Sequence, residues 1–296
     1  MLVTRIYGGL GNQMFQYAAG KSISIARSEE LMLDTSSYGI DGGENLIGRA
    51  LDILDFKLEI LPEDPIKTFQ FRYPSGLPSR IRSYFDKKIL NKYFYGWHPE
   101  LYEDSKLNYL DGYFQSKNYA EIIFERINQS FKLKPEFEIE VSVLRKLFQR
   151  DEFIAIHVRR GDYFCNPEVQ RWHGICTPDY YEKGIKYLKR RFPDFQFALF
   201  LDDVDWARAN IRGAESFFSV SQYAKENGVE LRASQELSLM SECKHFLISN
   251  STYSWWGQYL SHNQKKCVVS PSLWNRNPRS RNIDLIDSTW HKILIN

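Results

Sequence analysis

Phe153-Ile154-Ala155-Ile156-His157-Val158 runs directly into Arg159-Arg160-Gly161-Asp162-Tyr163. A short apolar run that stops at charged residues reads as a strand buried on both faces. Downstream, Thr177 precedes Pro178-Asp179, an N-cap followed by a first-turn proline, and predicts a helix over 178–191. Further strands are expected over 195–201, 216–220, 245–249 and 267–270. Helices are expected over 234–244, capped by Ser234, and over 252–260. Strands alternating with helices predict an α/β fold with a parallel sheet covered on both faces. Such sheets bind ligands outside the carboxyl ends of their strands. Three polar clusters fall at such ends: Arg159-Arg160-Gly161-Asp162, Asp202-Asp203 and Asn250-Ser251-Thr252.

The N-terminal half is less regular. Leu2 to Tyr7 is β-prone, Gly8-Gly9-Leu10-Gly11-Asn12 is a glycine turn, and a helix is expected from Gln13 to about Ala26. Residues 35–110 are rich in Pro, Gly and Tyr and give no ordered pattern. One helix is expected over 118–128 and another over 135–151, where the regular alternation begins. We therefore expect two domains, 1–150 and 151–296, with the last helix of the second packing back on the first.

Composition narrows the class. Of 296 residues, 43% are hydrophobic and 26% charged, enough to bury a core. The 39 basic and 37 acidic residues leave a net charge of +2, which argues against a nucleic-acid binder with a concentrated basic face. The clusters Lys189-Arg190-Arg191 and Arg276 to Arg281 read as a solvated helix end and a polar loop. Cys165, Cys176, Cys243 and Cys267 form no Cys-x-x-Cys pair, so free thiols in a reducing compartment are expected and no metal. Met1 to Gly9 lacks the basic and apolar regions of a signal peptide, and no apolar run approaches the roughly 18 residues of a membrane span.

Each polar cluster carries a chemical reading beside a bland one. His157 and Arg159 stand two apart at a strand end and share a face. Arg159 could offer a bidentate fork to a diphosphate, and Asp162 could orient an arginine or take a proton. A surface salt bridge beside a core histidine explains the same residues. The glycine turn could admit an anion at a helix N-terminus, with Asn12 and Gln13 adding side-chain donors, yet it matches neither Gly-x-Gly-x-x-Gly nor the P-loop. Asp203-x-Asp205 has the spacing of a divalent-metal site, or it caps a helix. Ser251 and Thr252 suit phosphate oxygens, or cap the helix they precede. Trp255 and Trp256 read as core.

Taken together, these segments resemble glycosyltransferase family 11, the α-1,2-fucosyltransferases. The resemblance rests on Gly8-Gly9-Leu10-Gly11-Asn12-Gln13, on His157-Val158-Arg159-Arg160-Gly161-Asp162, on Asp202-Asp203 and on Ser249-Asn250-Ser251-Thr252-Tyr253-Ser254-Trp255-Trp256. Asp111-Gly112-Tyr113-Phe114-Gln115-Ser116 and Glu236-Leu237-Ser238-Leu239-Met240-Ser241 also look like family segments, whereas Leu201 stands where many members have Ser. The resemblance implies a GT-B fold, two Rossmann-like domains facing across a cleft, with the acceptor on the N-terminal one and GDP-β-L-fucose on the C-terminal one. It implies inverting transfer of fucose to the 2-hydroxyl of a terminal β-galactoside, with no cofactor and no required metal. Arg159 and Asp162 are the implied catalytic residues, Arg159 on the diphosphate. Gly11, Asn12, His157, Arg160, Asp202, Asn250, Ser251 and Thr252 are the implied donor-binding set, with His157 and Asp202 near guanosine. A bacterial cytoplasmic enzyme of polysaccharide assembly is expected, peripheral at most to the membrane. Rival readings are another fucosyl linkage, a metal-dependent transferase using Asp203 and Asp205, and a carbohydrate-binding module.

Overall fold

The computed structural model describes residues 1–38, 49–64, 94–159, 176–201, 204–276 and 283–295. The chain divides into two units, Met1–Lys132 with Arg279–Leu285, and Leu133–Pro278 with Ile286–Asn296. Each holds one parallel sheet. Among the described residues no helix is long and apolar enough to cross a membrane.

In the first unit, strand β1 (Leu2–Arg5) lies between β2 (Leu31–Asp34) and β3 (Tyr109–Leu110). Helix α1 (Leu10–Ala26) follows β1 after the expected glycine turn. Gly8 turns the chain at φ +81°, a conformation that costs glycine little. A side chain at Gly20 would put its Cβ 2.2 Å from Thr4 Oγ1, so this glycine lets α1 settle onto β1. The single helix expected over 118–128 is two, α2 (Lys117–Ile122) and α3 (Phe124–Ser130). The backbone of Ile123 leaves the helical region at φ −122°, ψ 36° and the ladder restarts. The β-branched pair Ile122-Ile123 holds a helix weakly there.

In the second unit, α4 (Pro135–Arg150) precedes β4 (Phe153–Val158), which is buried along its whole length. Then come α5 (Pro178–Arg191), β5 (Gln196–Leu201), α6 (Val204–Asn210), β6 (Phe218–Ser219), α7 (Val220–Glu226), α8 (Ala233–Met240), β7 (His245–Leu247), α9 (Thr252–Tyr259), β8 (Val268–Pro271) and β9 (His291–Ile293). The order across the sheet is β6-β5-β4-β7-β8-β9. Counted from β4, that is 3-2-1-4-5-6, the order of dinucleotide-binding sheets, in which the direction of growth reverses between β4 and β7. Ile154, Ile156 and Val158 on one face meet Tyr180, Tyr181 and Leu188 of α5. Phe153 on the other face meets Phe148 of α4 at 4.7 Å.

Four expectations are corrected. The boundary falls at Lys132/Leu133 rather than 150/151, because α4 buries Val141, Leu144 and Phe148 in the second unit and its Arg145 pairs with Glu242. Burying each of those apolar side chains contributes about 1.5–3 kcal/mol. Ser234 does not cap α8: it lies fully buried inside the helix, and Gln235 Oε1 accepts from Arg232 N at 2.9 Å at the cap position. Strand β6 spans only two residues of the five expected. The described chain after β8 adds strand β9 beside it rather than a last helix, and the residues returned to the first unit are an extended piece around Asp284 and Leu285. Asp284 accepts there from Ser116 Oγ at 3.0 Å and from Lys117 N at 3.2 Å.

Gly20→Ala should destabilise the protein by about 1–3 kcal/mol, the usual cost of overpacking a filled contact. The urea midpoint measures it, and an unchanged or raised midpoint would mean that α1 has room to move off β1.

Candidate functional site

The site is built where β4, β5 and β7 end side by side. Val158 pairs with Leu201 and Ile156 with Leu247, so the three strands end as neighbours. His157 Nδ1 and Ser249 Oγ are 2.8 Å apart, tying the end of β4 to the loop after β7. The imidazole also lies 5.5 Å from the ring of Tyr253, in the first turn of α9. His157 is buried, and burial, with the nearby positive charge of Arg159, pushes its pKa down to about 3. It is therefore a neutral ring, and Arg159, half-buried at the strand end, supplies the positive charge.

The loop after β7 is fixed from several sides. Tyr180 donates to Ile248 O, Cys176 Sγ donates to Asn250 Oδ1 at 3.7 Å, and Asn250 Nδ2 donates to Trp274 O at 3.4 Å. Asn250 thus spends its amide on holding the turn. Ser254 Oγ turns back to Ser249 O at 3.3 Å and Ser251 O at 3.2 Å. Ser251 occupies the N-cap of α9, yet its hydroxyl makes no capping bond. A helix N-terminus with a hydroxyl beside it favours an anion. Trp255 and Trp256 are buried, as expected.

The structure therefore brings His157, Arg159, Asn250, Ser251 and Thr252 to neighbouring strand ends of the second unit. Arg160, Asp162, Asp202 and Asp203 lie outside the described residues. Asp205 is exposed in the first turn of α6. Three cysteines, Cys176, Cys243 and Cys267, are free thiols, and no three His, Cys, Asp or Glu among the described residues could hold a metal ion together. Gly11 and Asn12 sit in the first turn of α1, in the other unit. Asn12 Oδ1 accepts from Gln115 Nε2 at 2.9 Å. Gln13 is not the free donor that the sequence suggested. Its Nε2 lies within 3.0 Å of Gly8 O, Tyr38 Oη and Ala50 O, and its Oε1 accepts from Ile53 N at 3.0 Å. Ser249 and Tyr253, the partners of His157, carry no sequence signal of that pairing, since Ser249 stands 92 positions away and Tyr253 further still.

In doubly wound sheets the switch point is where ligands bind, and a cation with a helix N-terminus there favours an anion. The chain belongs to glycosyl transferase family 11, whose profile matches residues 46–293. It is 28% identical over 301 residues to an α-1,2-colitosyltransferase of Escherichia coli, covering 99% of each chain. It is 24% identical over 270 residues to the galactoside 2-α-L-fucosyltransferase Sec1 of Mus musculus, covering 88% of this chain and 64% of that one. In fold it is similar to the fucosyltransferase NodZ from Bradyrhizobium, with a TM-score of 0.52 at 16% identity, covering 87% of this chain and 92% of that one. The fold is thus the expected α/β, GT-B-like one.

The depressed pKa of His157 gives a test. An unfolded histidine ionises near 6.5, so between about 6.5 and about 3 the folded state binds fewer protons than the unfolded one. Stability is complete above that window and falls as pH drops through it. His245, pushed down to about 4 by burial and by Arg191, adds to the same slope. The melting temperature should fall between pH 7 and pH 4, and fall less steeply in His157→Gln. Equal slopes in melts of the two proteins would remove His157 as a source.

Proposed function

We propose that the protein transfers L-fucose from GDP-β-L-fucose to the 2-hydroxyl of a terminal β-galactoside, with inversion, forming an α-1,2 linkage. The observation that carries this reading is the placement of Arg159 and Ser251 at the carboxyl ends of β4 and β7, beside a buried neutral His157. The galactoside O2 attacks the anomeric carbon as the bond to the β-phosphate oxygen breaks, and GDP leaves with that electron pair. Charge grows on the phosphates, and fixed positive groups aimed at it lower the barrier. Arg159 takes that role, with Arg160 assisting, and the Ser251 and Thr252 hydroxyls with the N-terminus of α9 receive phosphate oxygens. Neutral His157 orients the nucleoside end together with Asp202. Asp162 is the candidate acceptor of the O2 proton. Arginines in these roles supply the charge that a metal ion would bring, so the reaction runs without one.

Arg159→Ala should lose about 2–5 kcal/mol in kcat/KM, the scale for truncating one partner of a buried charge pair. Near-normal turnover would sink the assignment. Activity should persist in excess EDTA. Activity that vanishes there and returns with manganese would instead move the charge to Asp203 and Asp205.

A second reading concerns the donor sugar, and the likeness to an α-1,2-colitosyltransferase over 99% of both chains favours it. Colitose is L-fucose without its 3-hydroxyl. A site that hydrogen-bonds this hydroxyl rejects the deoxy sugar by about 10⁴ or more, whereas one that leaves it alone discriminates little. Comparing kcat/KM for the two GDP-sugars decides between them, with fucose expected to win. A strong preference for GDP-colitose would keep the mechanism and change the product.

A further inference from the structure

A second group of polar and aromatic side chains gathers at the carboxyl ends of β1 and β3, wholly within the first unit. Arg5, the last residue of β1, donates from Nη1 to Asp111 Oδ2 at 2.9 Å and from Nε to Ser37 Oγ at 3.2 Å. Its guanidinium lies 5.2 Å from the centre of the Tyr7 ring. Tyr7 meets Tyr113 at 5.0 Å, and Tyr113 meets Tyr95 at 5.7 Å, tilted by 33°. All three rings are half-buried. Gly8 packs beside Tyr113, where a Cβ would meet Cε1 at an ordinary contact distance of 3.7 Å. Phe114, next in the chain, is held at φ +48° and is buried. That region is costly for a bulky residue, and such strain gathers where a ligand is gripped.

The Tyr7 hydroxyl is the telling atom. It is buried and has no hydrogen-bond partner among the described residues. Burial, and then the charge of Asp111, drives its pKa far above the ordinary tyrosine value, so it remains a protonated donor. Folded proteins leave few buried hydroxyls unpaired, because an unmade hydrogen bond there is costly. A ligand hydroxyl would relieve that cost.

We propose that Arg5, Tyr7, Asp111 and Tyr113 form the subsite that holds the terminal galactose of the acceptor. This rests on the galactoside reading above. The axial 4-hydroxyl of galactose leaves the hydrogens on C3, C4 and C5 as an apolar patch on one face of the ring. That patch lies on the tilted Tyr113 and Tyr95 rings, which offer apolar area beside a polar tip. Asp111, fixed by Arg5, accepts from one sugar hydroxyl, and Tyr7 donates to another. A few placed polar groups on an aromatic wall are the usual makings of a selective small-molecule site.

Tyr7→Phe tests this with the least disturbance, since it deletes an oxygen that no described protein group uses. The KM for a β-galactoside should rise about tenfold or more, the penalty for leaving a substrate hydroxyl unpaired. The KM for GDP-fucose and the thermal shift produced by GDP should hold, and the melting temperature should hold or rise. Asp111→Asn should raise the galactoside KM as well, and saturation-transfer NMR with methyl β-galactoside should weaken in both variants. An unchanged galactoside KM in both variants overturns the subsite. So does a rise matched by an equal loss of melting temperature and of GDP-fucose affinity, which would show a structural role. Failure of the underlying reading looks different: the unaltered protein would then neither melt higher with GDP nor turn over GDP-fucose with any galactoside.

Discussion

Strand β4 has to be buried on both faces, and the second unit is arranged around that requirement. A strand with six buried residues in a row needs helices above and below it and paired strands on both sides. The sheet grows from β4 first toward β5 and β6, and then toward β7, β8 and β9. Right-handed crossovers send the connections of the two halves over opposite faces. Among the described residues the connections therefore diverge between β4 and β7, and the polar residues next in sequence stand at that switch point. Arg159 and Ser251 are where they are because Phe153 to Val158 is apolar.

The same burial separates two roles that look alike in the sequence. His157 and Arg159 are two basic side chains two positions apart, one next to last in β4 and one just beyond its end. Desolvation removes the charge of the imidazole, whereas a guanidinium keeps its charge at any working pH. The pair becomes one fixed cation and one neutral ring, with the ring held by Ser249. Binding a diphosphate beside such a pair asks for no protonation of the histidine.

Much of this was legible in the chain. Strand β4, helix α5 with its Thr177 cap, and the Thr252 helix were read nearly to the residue, because apolar runs and capping residues are local signals. The domain boundary was not, because α4 ends at a plausible break and only its buried face shows which unit it joins. Gln13 was misjudged for the same kind of reason. An amide at a helix start looks like a ligand donor until Ala50 and Ile53, some 40 positions away, are seen to use it. Tyr7 stands in the sequence only as the end of a β-prone run, since nothing there marks a hydroxyl that lacks a partner among the described residues.

The last described residues finish both units. Asp284 and Leu285 complete the first by closing over the start of α2, and His291 to Ile293 complete the second as the outer strand of its sheet. During synthesis neither sheet-bearing unit has all its described parts until the chain has passed Leu285. Residues 1–132 gain the contacts of Asp284 and Leu285 only after the second sheet's other strands have been made. Both units thus draw their final contacts from the same short stretch of chain, which links the completion of the two in time.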